Sequence, residues 1–487
     1  MLPLRNLSYR RLAIGWRRVH TASIPPTRST LPTSRILSQL PQGSPLTQSR
    51  PFSFTSNLSA TLKTETTPLG GLATSITKEA VKKTSAWPET SDRKVGYWLL
   101  GSAGLVFGIV VLGGLTRLTE SGLSITEWKP VTGSLPPLSH ADWVENFDKY
   151  RDSPEYRIIN PNMTLEEFKF IYYMEWAHRV WGRVIGLSFV LPATYFIVRK
   201  RVTPRVARRL LGISGLIGLQ GFIGWWMVKS GLQDDLFVKP GSVPRVSQYR
   251  LTTHLGAAFA LYVAMLWSGL DILRENRLFK DPKLAIETLE KLKSPQLRAF
   301  RGLVGLLGVM VFTTAMTGGL VAGLDAGLIY NEFPKMGTGY MPPVKEMFNT
   351  FYSHRDDNSD LIWRNMLENP STVQFQHRVA ALTTFSTIVA VFLFSRLNSR
   401  VAQAMPKDVR KGMMGVLHLA IMQVLLGIGT LIYIVPTHLA ATHQAGALAL
   451  LTGTVVLGHR VWLPKVAARI AGQKLQAAAV RAAARKI

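Results

Sequence analysis

Four histidines occupy matching positions in two halves of the sequence, and each lies inside a long apolar stretch. His178 lies in the string EWAHRV and His377 in the string QFQHRV, and each is followed later by a histidine in a Thr-His pair, His254 and His443 respectively. Ligating groups inside a membrane span are energetically costly and are therefore usually functional. Two pairs of histidines in an apolar helical bundle predict a bound haem or metal ion.

Haem iron fits this pattern better than zinc. Two axial imidazoles can come from facing helices, whereas zinc ligands usually show short spacings, and these paired histidines are 76 and 66 residues apart. A hydrogen-bonded helix contact is the alternative for any single histidine, but it explains four equivalent ones poorly. The arginine directly after the first histidine of each pair, Arg179 or Arg378, is a candidate propionate contact, and the alternative is an interfacial anchor.

A carboxylate precedes the first histidine by one helical turn. Glu175 and His178 project from the same helix face, whereas the residue that matches Glu175 in the second copy is Gln374, which is isosteric and uncharged. The two sites are therefore predicted to be alike in ligation and different in acid–base chemistry. Glu175 is a candidate catalytic residue, as a general acid/base or a stabiliser of positive charge. A hydrogen bond to a neighbouring histidine is the structural alternative.

The elements that position these residues are predicted to be membrane-spanning helices. A helix needs ~20 mostly apolar residues to cross a bilayer, and eight segments qualify. They are residues 96–116, 172–198, 210–231, 251–273, 302–324, 374–395, 412–434 and 441–462. The string GGL recurs at the same place in the first and fifth segments, so the chain is a duplication with four spans per half. The predicted fold is an all-α integral membrane protein of eight transmembrane helices in two pseudo-symmetric four-helix bundles. Because each half has an even number of spans, the two bundles are predicted to be parallel.

Composition limits the chemistry and the compartment. The 487 residues include no cysteine, which excludes disulfides, thiolate ligands and iron–sulfur clusters on this chain. The first 52 residues contain eight arginines and no acidic residue, which predicts a mitochondrial transit peptide, with a disordered basic tail as the alternative. The formal charge of +28 does not indicate nucleic-acid binding, because the charge beyond this leader lies mainly in loops between apolar spans.

Loop charges predict the orientation in the membrane. Lysine and arginine exceed acidic residues in 199–209, 274–301, 396–411 and 460–487, whereas acidic residues exceed them in 117–171 and 325–371. The basic side is the inside, so both termini should face the matrix. After the leader, the predicted segments are a matrix N-terminal segment at 53–95, an N-terminal bundle at 96–273, a matrix linker at 274–301, a C-terminal bundle at 302–462 and a basic matrix tail at 463–487.

Taken together, these strings resemble the haem A synthase family of the mitochondrial inner membrane over about residues 95–462. The most specific strings are GGLTRLTESGLS from Gly113, EWKP from Glu127, the two histidine strings and THQ from Thr442. Members of this family oxidise the C8 methyl group of haem O to a formyl group, which gives the haem A of cytochrome c oxidase.

The resemblance implies roles for the candidate residues. It places the substrate haem O, or the product haem A, near His178 and His254 in the N-terminal bundle, with Glu175 important for the oxidation. It places haem b on His377 and His443 in the C-terminal bundle. The cysteine pair that some bacterial members carry in the first external loop is missing here, so a mechanism that relies on this pair does not apply.

The resemblance also implies partners. They are haem O synthase, cytochrome c oxidase assembly factors, a matrix electron donor such as a ferredoxin, inner-membrane lipid and further copies of the chain in a homo-oligomer. From the residues alone, a di-haem b-type membrane electron-transfer protein and a transporter with a histidine proton relay remain alternatives. The Glu175/Gln374 difference favours the enzyme, because an electron carrier needs no carboxylate at only one haem.

Overall fold

A computed structural model describes residues 87–129, 133, 135–232 and 245–484 of the chain. Within this part the protein is almost entirely helical, and all eight predicted spans are present. They are α1 (Arg93–Leu118), α2 (Leu165–Val198), α3 (Pro204–Gly231), α4 (Gln248–Lys280), α5 (Gln296–Gly323), α6 (Pro370–Leu397), α7 (Lys407–Ile432) and α8 (Thr437–Val461). The all-α membrane class is therefore confirmed. The predicted transit peptide and most of the predicted segment 53–95 lie outside the described residues.

The sequence explains why these segments are helices with these ends. Each span contains an 18-residue window with a mean hydropathy between 1.3 and 2.1, which suits a lipid environment. Side-chain caps mark several starts. Thr164 forms a capping box with Glu167 before α2, and Thr203 caps α3 just ahead of Pro204. Asn369 accepts hydrogen bonds from two main-chain N–H groups at the start of α6.

Equivalent helices of the two halves make equivalent contacts. In the first half, α1 and α3 each pack against both α2 and α4, and in the second half α5 and α7 each pack against both α6 and α8. Between the halves, α4 packs against α5, and α8 packs against α1. Gly96 and Gly269 let α1 and α4 approach closely, since a Cβ on Gly269 would lie 3.0 Å from the Gly96 carbonyl oxygen. The parallel orientation of the two halves stays a prediction.

Short helices in the connections shape the two ends of the bundle. Before α2, helix His140–Arg151 packs its aromatic residues against the first turns of α2 in a small apolar cluster that includes Trp143, Tyr150, Phe168 and Tyr172. At the opposite end, the linker helix Pro282–Lys293 packs against the terminal helix Lys465–Ala484. Among the described residues, the further short helices are Pro154–Ile158, Val344–Met347, Leu361–Glu368 and Ser399–Ala404, with 3₁₀ turns at Ala326–Leu328 and Thr350–Tyr352.

Candidate functional site

Each of the four histidine rings lies against a glycine on a neighbouring helix of its own half. A Cβ added to Gly113, Gly318 or Gly427 would lie inside van der Waals distance of the imidazole Cε1, so a larger residue there would displace the ring, whereas a Cβ on Gly224 would only touch it. The pairs and these distances are Gly113–His178, 2.8 Å; Gly224–His254, 3.5 Å; Gly318–His377, 3.1 Å; and Gly427–His443, 2.9 Å. The glycines lie on α1, α3, α5 and α7, while the histidines lie on α2, α4, α6 and α8.

The two histidines of each half lie near each other. His178 is close enough to His254, and His377 to His443, for a charge on one ring to affect the other. The Nδ1 atoms of His178, His254 and His443 are buried and have no hydrogen-bond partner among the described residues, whereas Nδ1 of His377 lies 2.9 Å from the Thr317 hydroxyl.

These observations fit a haem better than a metal cage. All four side chains remain partly exposed in the polypeptide alone, so protein atoms do not enclose them. In the described part of the chain, no cluster of three or more histidine, aspartate or glutamate residues is arranged to hold a metal ion. Two neighbouring imidazoles on different helices of one bundle suit a planar group that supplies its own four equatorial ligands.

Both carboxylate oxygens of Glu175 accept hydrogen bonds. The donors lie in the loop after α1 and on α2 itself. Its Oε1 accepts from Arg179 Nη2 at 2.6 Å and Nε at 3.0 Å. Its Oε2 accepts from the Ser124 hydroxyl at 2.7 Å and from the Ile125 N–H at 2.8 Å. This set of donors suits an ionised carboxylate. In this structure Glu175 therefore ties α2 to the loop, and its carboxylate bonds to no histidine.

Gln374 occupies the matching position and accepts from the following arginine in the same way, but it donates to its loop where Glu175 accepts. Its amide Nε2 donates to the carbonyls of Ala326 at 2.9 Å and Tyr330 at 3.2 Å, and its Oε1 accepts from Arg378 Nη2 at 3.2 Å. The loop after α1 thus offers donors where the loop after α5 offers acceptors. The loops therefore give a structural reason for glutamate in the first half and glutamine in the second. The sequence alone did not reveal this reason.

The two arginines also hold these loops. Both place their terminal nitrogens on main-chain carbonyls of the connection that precedes their helix. The bonds are Arg179 Nη1 to Glu127, 3.1 Å; Arg179 Nη2 to Ile125, 2.9 Å; Arg378 Nη1 to Lys335, 3.0 Å; and Arg378 Nη2 to Tyr330, 2.8 Å. The propionate role of Arg179 and Arg378 stays a prediction, and the loop contacts are a further function that the sequence did not indicate.

Glu155 is a buried carboxyl that sequence analysis missed. It lies in the short helix Pro154–Ile158, is 4% exposed, and its Oε2 has no hydrogen-bond partner among the described residues. Burial raises the pKa of Glu155 to about 8, and the nearby negative charges of Glu175 and Glu120 add to this effect. At neutral pH Glu155 is therefore mainly a neutral acid, able to hold a proton next to Glu175. No motif or spacing marks it in the sequence.

Comparison with known proteins identifies the family. A family model described as cytochrome oxidase assembly protein, COX15-CtaA, matches residues 96–455, which include all four histidines. The chain belongs to the COX15-CtaA family. The family resemblance predicted from the sequence strings is therefore confirmed.

Several relatives in the COX15-CtaA family are closely similar to this chain. The heme A synthase COX15 of Saccharomyces cerevisiae is 52% identical over 379 residues, which cover 78% of this chain and 77% of that protein. The Homo sapiens protein of the same name is 45% identical over 370 residues, or 76% and 83% of the two chains. A heme A synthase–mitochondrial ferredoxin fusion protein of Schizosaccharomyces pombe is 50% identical over 379 residues, or 76% of this chain and 60% of the fusion.

Proposed function

We propose that this member of the COX15-CtaA family is a haem A synthase, an oxidoreductase that converts the C8 methyl group of haem O into the formyl group of haem A. The observation that carries this proposal is the duplicated pair of histidines, each ring lying against a glycine at an equivalent position of a repeat. The relatives that are 45–52% identical are named heme A synthases. None of these relatives is named as a b-type electron-transfer protein, so that alternative has no support.

The two sites take different roles in this proposal. His178 and His254 hold haem O as substrate in the first half, and the product haem A leaves from there. His377 and His443 hold a resident haem b in the second half. A bound haem b supplies one-electron redox chemistry. The protein's own contribution is to orient both haems and to keep water from the reacting carbon.

Glu175 is the proposed catalytic residue. Oxidation of a methyl carbon develops positive charge, and a carboxylate that is already oriented stabilises such charge in a medium of low dielectric constant. Arg179, Ser124 and the Ile125 N–H fix the carboxylate one helical turn before His178, so it needs no reorganisation during the reaction. Glu155, protonated and neutral at rest, can donate its proton and take it back on the loop side of this carboxylate.

The proposed location is the mitochondrial inner membrane, with both termini in the matrix. Eight spans and close similarity to COX15 proteins support a multi-pass protein of that membrane. One relative is fused to a mitochondrial ferredoxin, which supports a ferredoxin as the matrix electron donor. Haem O synthase, cytochrome c oxidase assembly factors and a homo-oligomer complete the proposed partners.

Extraction of haem from the purified protein, followed by chromatography, tests this function. We expect haem b together with haem O or haem A. Haem b alone in both sites would favour the electron-transfer protein, and no haem at all would contradict haem chemistry.

His377→Ala and His443→Ala should each abolish the low-spin b-type absorption, whereas His418→Ala, a control on α7 without a repeat partner, should keep it. Retention of that spectrum in both site variants would refute the assignment of the cofactor site.

A further inference from the structure

One hydrogen bond distinguishes the two histidine pairs. Nδ1 of His377 lies 2.9 Å from Oγ1 of Thr317, a residue of α5 next to the glycine that faces the same ring. The Thr317 hydroxyl donates its own proton to the carbonyl of Thr314 at 2.7 Å. Since that proton is already committed, Oγ1 offers a lone pair to His377, and the bond runs from the His377 Nδ1–H to Thr317.

This bond fixes the chemical form of the ring. A neutral imidazole has one proton, and placing it on Nδ1 leaves the Nε2 lone pair free as a ligand. A hydrogen bond from the far nitrogen also holds the ring orientation and makes the ligating nitrogen more basic. Thr317 therefore prepares His377 for iron before any haem arrives.

Among the described residues, the first half shows no counterpart of this bond. The repeat offset that aligns Gly113 with Gly318 aligns Leu112 with Thr317. Leucine offers no acceptor, and Nδ1 of His178 is buried without a partner among the described residues. In the described part of the chain, Nδ1 of the second histidine of each pair, His254 or His443, also has no hydrogen-bond partner. The C-terminal pair thus contains at least one anchored imidazole, whereas neither ring of the N-terminal pair has an Nδ1 partner among the described residues.

We propose that Thr317 is a positioning residue that makes the C-terminal pair a retention site for the resident haem, and that Leu112 keeps the N-terminal pair exchangeable for substrate and product. This inference rests on the proposed function, in which one haem stays and the other must leave. Removal of an outer hydrogen-bond partner typically weakens metal binding by roughly 10–100-fold. A difference of that size separates a cofactor that stays bound from a product that must be released.

The test compares Thr317→Val with the wild type in the purified full-length protein. Valine keeps the shape of threonine and removes the acceptor. We expect haem b to pass to an apo-globin scavenger roughly 10-fold faster, and its midpoint potential to rise because a less basic ligand stabilises ferric iron less. Thr387→Val on α6 is the matched control, since its hydroxyl bonds only the Thr383 carbonyl of its own helix at 2.7 Å, and it should change neither value.

Leu112→Thr provides the reciprocal test and stands even if Thr317→Val fails to fold. A threonine there should slow the release of haem from the N-terminal site, while haem b retention stays unchanged. Unchanged retention and potential in Thr317→Val, or unchanged release in Leu112→Thr, would overturn the inference. The haem A synthase assignment would survive that result, because it depends on the extracted haems and on the His377 and His443 variants.

Discussion

At the scale of single residues, the Glu175/Gln374 pair shows how one difference between two repeats can have two causes. Each side chain has the hydrogen-bond polarity that its loop requires, with donors at Ser124 and Ile125 and acceptors at Ala326 and Tyr330. A structural reason for the pair does not remove a catalytic one. An experiment must therefore separate the charge of Glu175 from its loop contacts.

Glu175→Gln removes the charge and keeps the shape. We expect it to slow methyl oxidation by ~10²–10³-fold, the usual effect of losing one preorganised electrostatic group. Haem should still bind, because the histidines are untouched. Cells that carry the variant should therefore accumulate haem O or its alcohol intermediate, which chromatography of the extracted haems will detect.

Ser124→Ala is the control for this prediction. It removes one hydrogen bond from the same carboxylate and keeps the charge, so haem A production should remain near the wild-type rate. If Ser124→Ala is as slow as Glu175→Gln, the defect lies in the loop and the catalytic role loses its support. Gln374→Glu should create no second oxidation site, since its carboxylate would face the carbonyls of Ala326 and Tyr330.

At the scale of elements, apolar length predicted all eight spans, and the motifs predicted the candidate site residues. Helix α2, Leu165–Val198, begins seven residues before the predicted span 172–198. The reason is tertiary, since the first turns of α2 pack against the aromatic residues of helix His140–Arg151. Spacing could not reveal the hydrogen bonds of Glu175, because its loop partners lie about 50 positions earlier in the chain.

The GGL repeat is visible in the sequence, but the sequence does not show that its first glycine faces a histidine ring. Several glycines on the histidine helices face protein side chains and not a histidine ring. Gly182 faces Ile109, Gly256 faces Met316, and Gly446 faces Gln423. A repeated glycine does not indicate which partner requires it, because that depends on how the neighbouring helix is rotated.

The glycine contacts lead to a matched pair of variants on α1. A Cβ at Gly113 would lie 2.8 Å from His178 Cε1, whereas a Cβ at Gly104 would meet nothing within 4 Å. Overpacking costs about 1–3 kcal/mol, so Gly113→Ala should weaken haem retention in the first half by at least about five-fold, and Gly104→Ala should not. Haem content per purified chain checks this. Equal content in the two variants would show that the glycine contact does not position His178.

At the scale of the whole molecule, the two halves are interlocked close to their histidines. Gln444, the residue after His443, donates to the Val110 carbonyl at 2.8 Å and lies against Gly114 of the first half. Leu255, the residue after His254, lies in the same way against Gly319 of the second half. The two sites therefore share a packed interface.

Arg117 and Asp325 add a polar link between the halves at the ends of α1 and α5. Arg117 Nη2 bonds Asp325 Oδ1 at 2.8 Å, and Arg245 Nη1 bonds Asp325 Oδ2 at 3.0 Å. Asp325 and its repeat partner Glu120 share a φ of 52°, so the chain leaves both helices by a similar turn. The acidic loops lie at this end of the bundle. The side of the membrane that this end faces determines from which side haem O would enter.

The last prediction concerns that side. His254, His377 and His443 each lie six or seven residues after the start of a helix that follows an acidic loop or its equivalent, or about 10 Å along the axis. The basic loops, such as 199–209 with six lysines and arginines and no acid, lie at the other end. Charge bias therefore places loops 117–171 and 325–371 in the intermembrane space.

Protease added to mitoplasts should cleave tags inserted near the exposed Leu138 and Tyr340 and should spare a tag after Ile487 until the membrane is dissolved. The reverse pattern would move all four histidines to the matrix side, and haem O would then have to enter from the matrix.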